Sequence, residues 1–205
     1  MFQLIKGAHI ADITGLEEGY QLSDGKLTAN VSAEKINKVF ESFICKMAED
    51  EVLFLYIEVP CSEDEEKELN SNTNDITKLH RNVYYLDGLN RESALDFLHS
   101  GVGELLINDG LVLFGVGSLK TNIEIGKCKY NMLIGFLQEA DEKCFTDIFK
   151  ENDIPRLATI KTAWDLISEK NPGECSSYEF GGKDIYVLIE QLQELGLYKA
   201  ETREE

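Results

Sequence analysis

Apolar and polar positions are most clearly patterned in residues 104–117, where two apolar runs flank Asp109-Gly110. Asp-Gly between apolar runs is typical of a two-residue β-hairpin turn, because both residues tolerate the positive φ that a type I′ turn requires. Apolar side chains would lie on both faces of both strands, which is typical of strands near the middle of a covered sheet. We therefore expect the fold to be built around a central hairpin that turns at Gly110.

Patterns elsewhere predict a mixture of helices and strands. Ser32 is a favourable N-cap, and the apolar stripe that follows at helical spacing predicts a helix that ends near Met47. Val52–Val59 is a nearly continuous apolar run, which favours a buried strand. Residues 2–30 are expected to form a loose hairpin, with candidate strands near Phe2–Ile5 and His9–Ile13 and turn-like pieces at Glu18-Gly19 and Ser23-Asp24-Gly25. Further helices are expected from Asn90, Asp141, Thr159 or Thr162, and Asp184, and further strands at 82–86, 122–125, 130–137 and 177–180.

These elements predict an α+β fold, with a mostly antiparallel sheet built around the central hairpin and helices packed on it. A chain of 205 residues, 43% of them hydrophobic, has enough apolar material for one large domain over residues 1–205. Residues 61–80 are acidic and polar and lack apolar anchors, so we expect an exposed acidic loop there.

The charge of the chain limits its partners. There are 38 acidic against 20 basic residues, a formal net charge of −18. Such a surface repels nucleic acid and anionic membranes, so we expect neither as a partner, and it favours a basic protein. The N-terminus lacks the features of a signal peptide, and the five scattered cysteines are typical of reduced thiols. We therefore expect a cytoplasmic protein.

Partner binding has two sets of candidate residues. The acidic run of the predicted loop is the first candidate for docking a basic surface, since charge speeds encounter and selects partners. We expect all five of its carboxylates to be dispensable for folding. The single tryptophan, Trp164, is the second candidate, because tryptophan is a common interface anchor. The acidic candidates are Glu63, Asp64, Glu65, Glu66 and Glu68.

A glycine motif offers an alternative site for a small ligand, at Gly115-Val116-Gly117-Ser118. Glycines after a strand can let a backbone approach a phosphate. The dinucleotide pattern, however, requires glycine where Lys120 stands, and a helix where residues 122–125 look like a strand. A strand with small residues at a bulge or under a close-packed helix is the favoured interpretation of Gly115, Gly117 and Ser118.

No catalytic residue is predicted. Ser118 is not in a G-x-S-x-G elbow, and no cysteine is marked as a nucleophile by its neighbours. His9, His80 and His99 are isolated, and there is no C-x-x-C or H-x-x-x-H pair, so we expect no metal site and no bound zinc. No cofactor is expected, and the sequence predicts no particular oligomeric state.

Three segments carry a resemblance to a known class of proteins: Gly103–Gly110, Phe114–Ser118 and Lys127–Asn131. Together with the size and acidity of the chain, they resemble small acidic bacterial immunity proteins of polymorphic toxin systems. The resemblance covers about a third of the chain. It implies a protein that binds a cognate toxin and blocks it, and it identifies no residue as a toxin contact.

Two hypotheses remain open. The favoured one is a non-enzymatic cytoplasmic binding protein of the immunity type, which neutralises a basic protein toxin. The alternative is an enzyme or small-ligand-binding protein whose site is assembled from distant residues near the turn at Gly115–Ser118. A deep pocket with convergent polar groups would support the alternative, whereas a flat acidic face would support the first.

Overall fold

An antiparallel sheet of eight strands forms the scaffold, in the order β10-β5-β4-β6-β7-β8-β3-β2. This is a computed structural model, and it describes residues 2–70, 78–138 and 141–205. A separate two-stranded sheet pairs β1 with β9. The strands are β1 (Ala8–Ile10), β2 (Gly19–Ser23), β3 (Lys26–Asn30), β4 (Leu53–Pro60), β5 (His80–Leu89), β6 (Leu113–Ser118), β7 (Glu124–Lys127), β8 (Met132–Phe136), β9 (Gly173–Cys175) and β10 (Tyr198–Glu204).

Helices cover one face of the large sheet, which confirms the predicted α+β class and its antiparallel sheet. Apolar residues of α1, α3, α4, α5 and α6 share one core cluster with alternate residues of the strands. The helices are α1 (Ala33–Lys46), α2 (Glu63–Leu69), α3 (Arg91–His99), α4 (Gly101–Asn108), α5 (Glu142–Glu151) and α6 (Ile185–Gln193), with a short 3₁₀ helix at Ala163–Asp165.

Helix α1 forms where its sequence predicts it. Ser32 is the N-cap, and Glu34 lies in the first turn, where the helix dipole favours negative charge. The apolar stripe is fully buried, and Phe40 stacks on Phe114 of β6 with 4.7 Å between ring centroids. Each such buried side chain contributes roughly 1.5–3 kcal/mol. This contact fixes α1 over the centre of the sheet.

The predicted hairpin at Asp109-Gly110 is wrong, because the first of its two strands is helix α4. The Ser100 hydroxyl accepts a hydrogen bond from the Val102 N–H at 3.1 Å and caps this helix. A short apolar run such as Leu105–Ile107 fits a buried helix as well as a strand, so periodicity could not separate them. Gly110 does not adopt a positive φ. It is needed because a Cβ there would lie 1.8 Å from the Gly7 carbonyl oxygen.

The Asp-Gly rule applies instead at Asp24-Gly25, between β2 and β3. Both residues have positive φ, 51° and 73°, and Ser23 pairs with Lys26 across the turn. A hairpin is therefore present within residues 2–30, with the two-residue turn that Asp-Gly favours. Its strands are not the candidates near Phe2–Ile5 and His9–Ile13, since residues 2–5 form no strand and β1 pairs with β9.

Two predictions for the last third of the chain are corrected. The helix expected from Thr159 or Thr162 is a single 3₁₀ turn at Ala163–Asp165, followed by a tight turn in which Ser168 pairs with Asn171. Residues 177–180 form no strand. Helix α6, in contrast, begins where predicted, because the Asp184 carboxylate accepts from the Val187 N–H at 3.0 Å.

Candidate functional site

The second face of the large sheet carries aromatic and aliphatic side chains. In β4, Phe54 and Tyr56 alternate with Leu53, Leu55 and Ile57, which are buried under the helices. Strand register places the partners of Phe54 and Tyr56 on the same face. None of these side chains belongs to the main core cluster or packs against it. We call this surface the open face, formed by Phe54, Tyr56, Tyr85, Leu113, Glu124, Ile134, Phe136 and Tyr198.

Three glycines form the floor of the open face. A Cβ at Gly117 would lie 2.4 Å from Cζ of Phe54, and a Cβ at Gly126 would lie 2.0 Å from Oη of Tyr56. Gly115 lies under the same tyrosine ring, with 2.4 Å between its ideal Cβ and Cε1. The rings of β4 therefore lie flat across β6 and β7. The motif lies in a strand, as the favoured interpretation expects, but the glycines make room for aromatic rings of β4 and not for a bulge or a helix.

The aromatic rings continue across β5 to the edge strand β10. Tyr85 lies 5.9 Å from Phe54, 6.2 Å from Tyr56 and 6.4 Å from Tyr198, measured between ring centroids. The Tyr198 hydroxyl donates to the Asp87 carboxylate at 2.7 Å. Tyr198 and Phe136, near opposite sides of the face, are 48% and 47% exposed. Contiguous apolar area of this kind is typical of an interaction surface.

Glu124 places a carboxylate within this apolar area. By register it lies between Gly117 of β6 and Phe136 of β8. It is half-buried, and this burial raises the pKa of the Glu124 carboxyl above its usual value. It makes no hydrogen bond or ion pair with any residue that the structure describes. Lys26 is on β3, two strands away, beyond Phe136, which is about 10 Å in a sheet.

A second carboxylate on the same face is already neutralised. Glu58 of β4 is buried, and its carboxylate pairs with Arg203 of β10 and lies 3.8 Å from Nε of Arg81. The Arg81 guanidinium also donates to the backbone carbonyls of Glu58 and Leu111. Glu58 thus has basic partners on β5 and β10, whereas Glu124 has none among the described residues.

The predicted acidic loop is in part a helix. Residues Glu63–Leu69 form α2, capped by Ser62 in a capping box with Glu65. The loop is expected because the segment lacks apolar anchors. The S-x-x-E pattern of Ser62 and Glu65, which is typical of a helix start, is the signal that predicts α2. The rest of the predicted loop is only partly covered, because residues 71–77 lie outside the described residues.

Two of the five predicted docking carboxylates are structural. Glu66 is buried; it accepts from the His80 N–H at 2.5 Å and pairs with Nδ1 of His80 at 2.8 Å. Glu65 accepts from the Ser62 N–H at 2.9 Å and the Asn82 amide at 3.0 Å. Burial alone would raise the pKa of Glu65, but these hydrogen bonds lower it to about 2. The expectation that all five are dispensable for folding is therefore wrong.

The remaining three carboxylates, Glu63, Asp64 and Glu68, are exposed to solvent along α2. Only Lys67 offsets them within the helix, 3.9 Å from Glu63 and 3.5 Å from Asp64. Trp164 is 50% exposed and packs edge-on against Tyr130, with 5.2 Å between ring centroids. Trp164 therefore combines packing with exposed surface, and its role in partner binding stays a prediction.

Ser118 is not available to a ligand. It is buried, and its hydroxyl donates to the Glu51 carboxylate and accepts from the N–H groups of Lys120 and Thr121 at 3.1 and 3.2 Å. These bonds close the turn between β6 and β7. With rings over Gly115 and Gly117, the backbone of the glycine motif is covered on the open face.

A cavity of about 320 Å³ lies between α2 and β5, lined by residues that include Cys61, Glu66, His80 and Lys129. Cys61 donates to the Asn82 amide oxygen at 3.3 Å, and burial raises the pKa of its thiol to about 11. A nucleophilic cysteine needs a lowered pKa. This cavity therefore offers the enzyme hypothesis no activated nucleophile.

Other chemistry was sought in the part of the chain that the structure describes. Within residues 2–70, 78–138 and 141–205, no three His, Cys, Asp or Glu side chains cluster so as to hold a metal ion. No helix there is both long and apolar enough to cross a membrane. No protein-family model, curated protein or solved structure matches the chain. Its function therefore has to be inferred from the chemistry of its own surface.

The open face was missed by sequence analysis, although two signals pointed to it. Met132, Ile134 and Phe136 alternate along β8, which is typical of one exposed or half-covered face. In the run Val52–Val59, which favours a buried strand, the aromatic residues Phe54 and Tyr56 alternate with aliphatic ones. The open face is covered by its own aromatic side chains. Only the strand register, which brings Phe54 over Gly117, shows this arrangement.

Proposed function

We propose that this protein is a non-enzymatic cytoplasmic binding protein that neutralises a basic protein toxin. The observation that carries the proposal is the open face, an apolar aromatic surface on a chain of net charge −18. Aromatic residues are the commonest anchors of protein interfaces. The sign of the net charge makes a basic partner the favourable one, because complementary charge accelerates association.

Helix α2 supports the same proposal from a different part of the molecule. Glu63, Asp64 and Glu68 are held on a capped helix and are exposed to solvent. Exposed charge of this kind contributes little to stability but strengthens the field that a basic partner encounters. The acidic surface would attract the partner, and the apolar surface would hold it.

The proposal is tested with the product of the neighbouring gene, purified and mixed with this protein. We expect a complex of defined stoichiometry by sedimentation, and loss of the partner's toxic activity in proportion to the complex formed. Turnover of the partner or a small molecule by this protein alone, or binding that leaves the toxic activity intact, would contradict the proposal.

A further inference from the structure

We propose that Glu124 and the aromatic rings of the open face form the receptor for a cationic side chain, preferably arginine, of the basic protein partner. This inference rests on the proposed function and names the contact that would carry it. It is argued from the position of Glu124, from what surrounds it, and from the charge that such surroundings require.

The position of Glu124 is set by backbone register. β7 pairs with β6 and β8, so Glu124 is held between Gly117 and Phe136 on a central strand. Gly117 has no side chain, and the space above it is taken by the Phe54 ring. A carboxylate on a paired strand is pre-organised, because binding a ligand there requires no ordering of the backbone.

The surroundings of Glu124 are costly for an isolated charge. The carboxylate is half-buried beside apolar rings, and no described residue neutralises it. Partly desolvated carboxylates gain from an added cation more than exposed ones do, since water screens them less. Glu58, on the same face, has arginine partners from within the chain. A cation from a partner would therefore stabilise the partly buried carboxylate of Glu124.

Arginine fits this position better than lysine. A guanidinium pairs with a carboxylate through two parallel hydrogen bonds and can stack on an aromatic face at the same time. Phe54 provides such a ring beside Glu124, since both side chains meet over Gly117, and the hydroxyl end of Tyr56 lies over Gly126 of the same strand. A compact ammonium group could pair with the carboxylate but would use the rings less well.

A second copy of this chain is a less favourable occupant. Two molecules that each carry a net charge of −18 repel one another. The net charge therefore favours a basic protein over a second copy as the occupant of this face.

The test uses capped hexa-arginine as the probe, titrated into the full-length protein by calorimetry and NMR. Hexalysine and the uncharged analogue hexa-citrulline are the comparison peptides. Glu124→Gln removes the charge at the open face. Glu190→Gln, at an exposed position on α6, removes the same charge from the helical side of the molecule and is the matched control. Glu124→Gln should fold at least as well as the wild type, since it removes a partly desolvated charge.

We expect hexa-arginine to bind the wild type more tightly than hexalysine does, and Glu124→Gln to weaken it by about fivefold or more. Glu190→Gln should stay within about twofold of the wild type, as expected for an exposed charge. NMR signals of Glu124, Phe54 and Tyr56 should shift on titration. Equal weakening by the two variants would overturn the inference, because it would show that the peptide responds only to net charge.

Two further outcomes separate this inference from the proposed function. If Glu63→Gln/Asp64→Asn/Glu68→Gln abolishes peptide binding and Glu124→Gln does not, the cation docks on α2 and this inference fails while the proposed function stands. If the wild type forms a dimer that Phe136→Ser disrupts, the open face is covered by a second copy, and the inference also fails.

Discussion

Lys127 and Asp109 join the end of α4 to β7 inside the protein. The Lys127 ammonium donates to the backbone carbonyls of Asp109 and Val112 at 2.5 and 3.0 Å, and both charged side chains are fully buried. The Asp109 carboxylate accepts from the N–H groups of Leu111, Val112 and Tyr178. Burial lowers the pKa of Lys127 to about 8, although Asp109 acts to raise it.

The lowered pKa of Lys127 predicts a pH-dependent stability. Between about pH 8 and 10.5 the unfolded state binds a proton at Lys127 that the folded state has lost, so the free energy of unfolding should rise with pH. We expect the difference in free energy of unfolding between wild type and Lys127→Met to increase by roughly 1–2 kcal/mol from about pH 7.5 to 9.5. Urea denaturation measures it. Cysteine and tyrosine ionisation is common to both proteins, so a pH-independent difference would contradict the shifted pKa.

Gly110 should be intolerant of any side chain. Gly110→Ala puts a Cβ 1.8 Å from the Gly7 carbonyl oxygen, which is fixed by the hydrogen bond from Ser176 N–H at 2.8 Å. We expect a loss of about 1–3 kcal/mol in free energy of unfolding. Gly101→Ala, at the start of α4, where the nearest atom is 3.3 Å away on the Phe180 ring, should cost little and is the control. Similar denaturation midpoints for both variants would mean that the chain segments do not meet here.

Glu66 and Glu68 should differ in their contribution to folding. Glu66→Gln removes the charge that pairs with His80 in a buried position, so we expect a loss of about 1–3 kcal/mol. Glu68 is exposed on the same helix, and Glu68→Gln should stay within about 0.5 kcal/mol of the wild type. Thermal melting by circular dichroism compares the two, and equal melting temperatures would show that α2 is not anchored through Glu66.

Gly126 and Tyr56 should be energetically coupled. In Gly126→Ala, the added Cβ would lie 2.0 Å from Oη of Tyr56, so the tyrosine ring must move away from β7. We expect this substitution to destabilise the wild type by about 1–3 kcal/mol and to cost much less in a Tyr56→Ala background. A double-mutant cycle measures the coupling. Additive effects would mean that the ring does not lie over Gly126.

Sequence reasoning succeeded where local chemistry decides the structure. The apolar stripe of α1, the Asp24-Gly25 turn and the Asp184 cap of α6 are all set by residues close in sequence. The α+β class follows from the order of such elements. The local pattern gave the wrong structure at Asp109-Gly110. This dipeptide is held by contacts from Gly7 and Ser176, which are distant in sequence, so no local pattern reveals them.

The candidate site was harder to predict, for the same reason. Glu66 pairs with His80 because β5 lies beside α2, and Glu124 has no partner among the described residues because Gly117 and Phe136 are its neighbours across the sheet. The acidic composition favours a basic partner, but it does not locate the open face. That surface depends on register, which an unaligned sequence leaves open wherever apolar side chains occupy both faces.

We propose that this protein binds a basic protein partner through charge complementarity. The salt dependence of the association rate between the two proteins measures this complementarity. Stopped-flow mixing with the purified product of the neighbouring gene should give a rate that falls steeply with added salt, because exposed charges are screened beyond about 8 Å at physiological ionic strength. Glu63→Gln/Asp64→Asn/Glu68→Gln should slow association at low salt and leave the melting temperature unchanged. An association rate that is independent of salt and equal in the wild type and this variant would contradict the account.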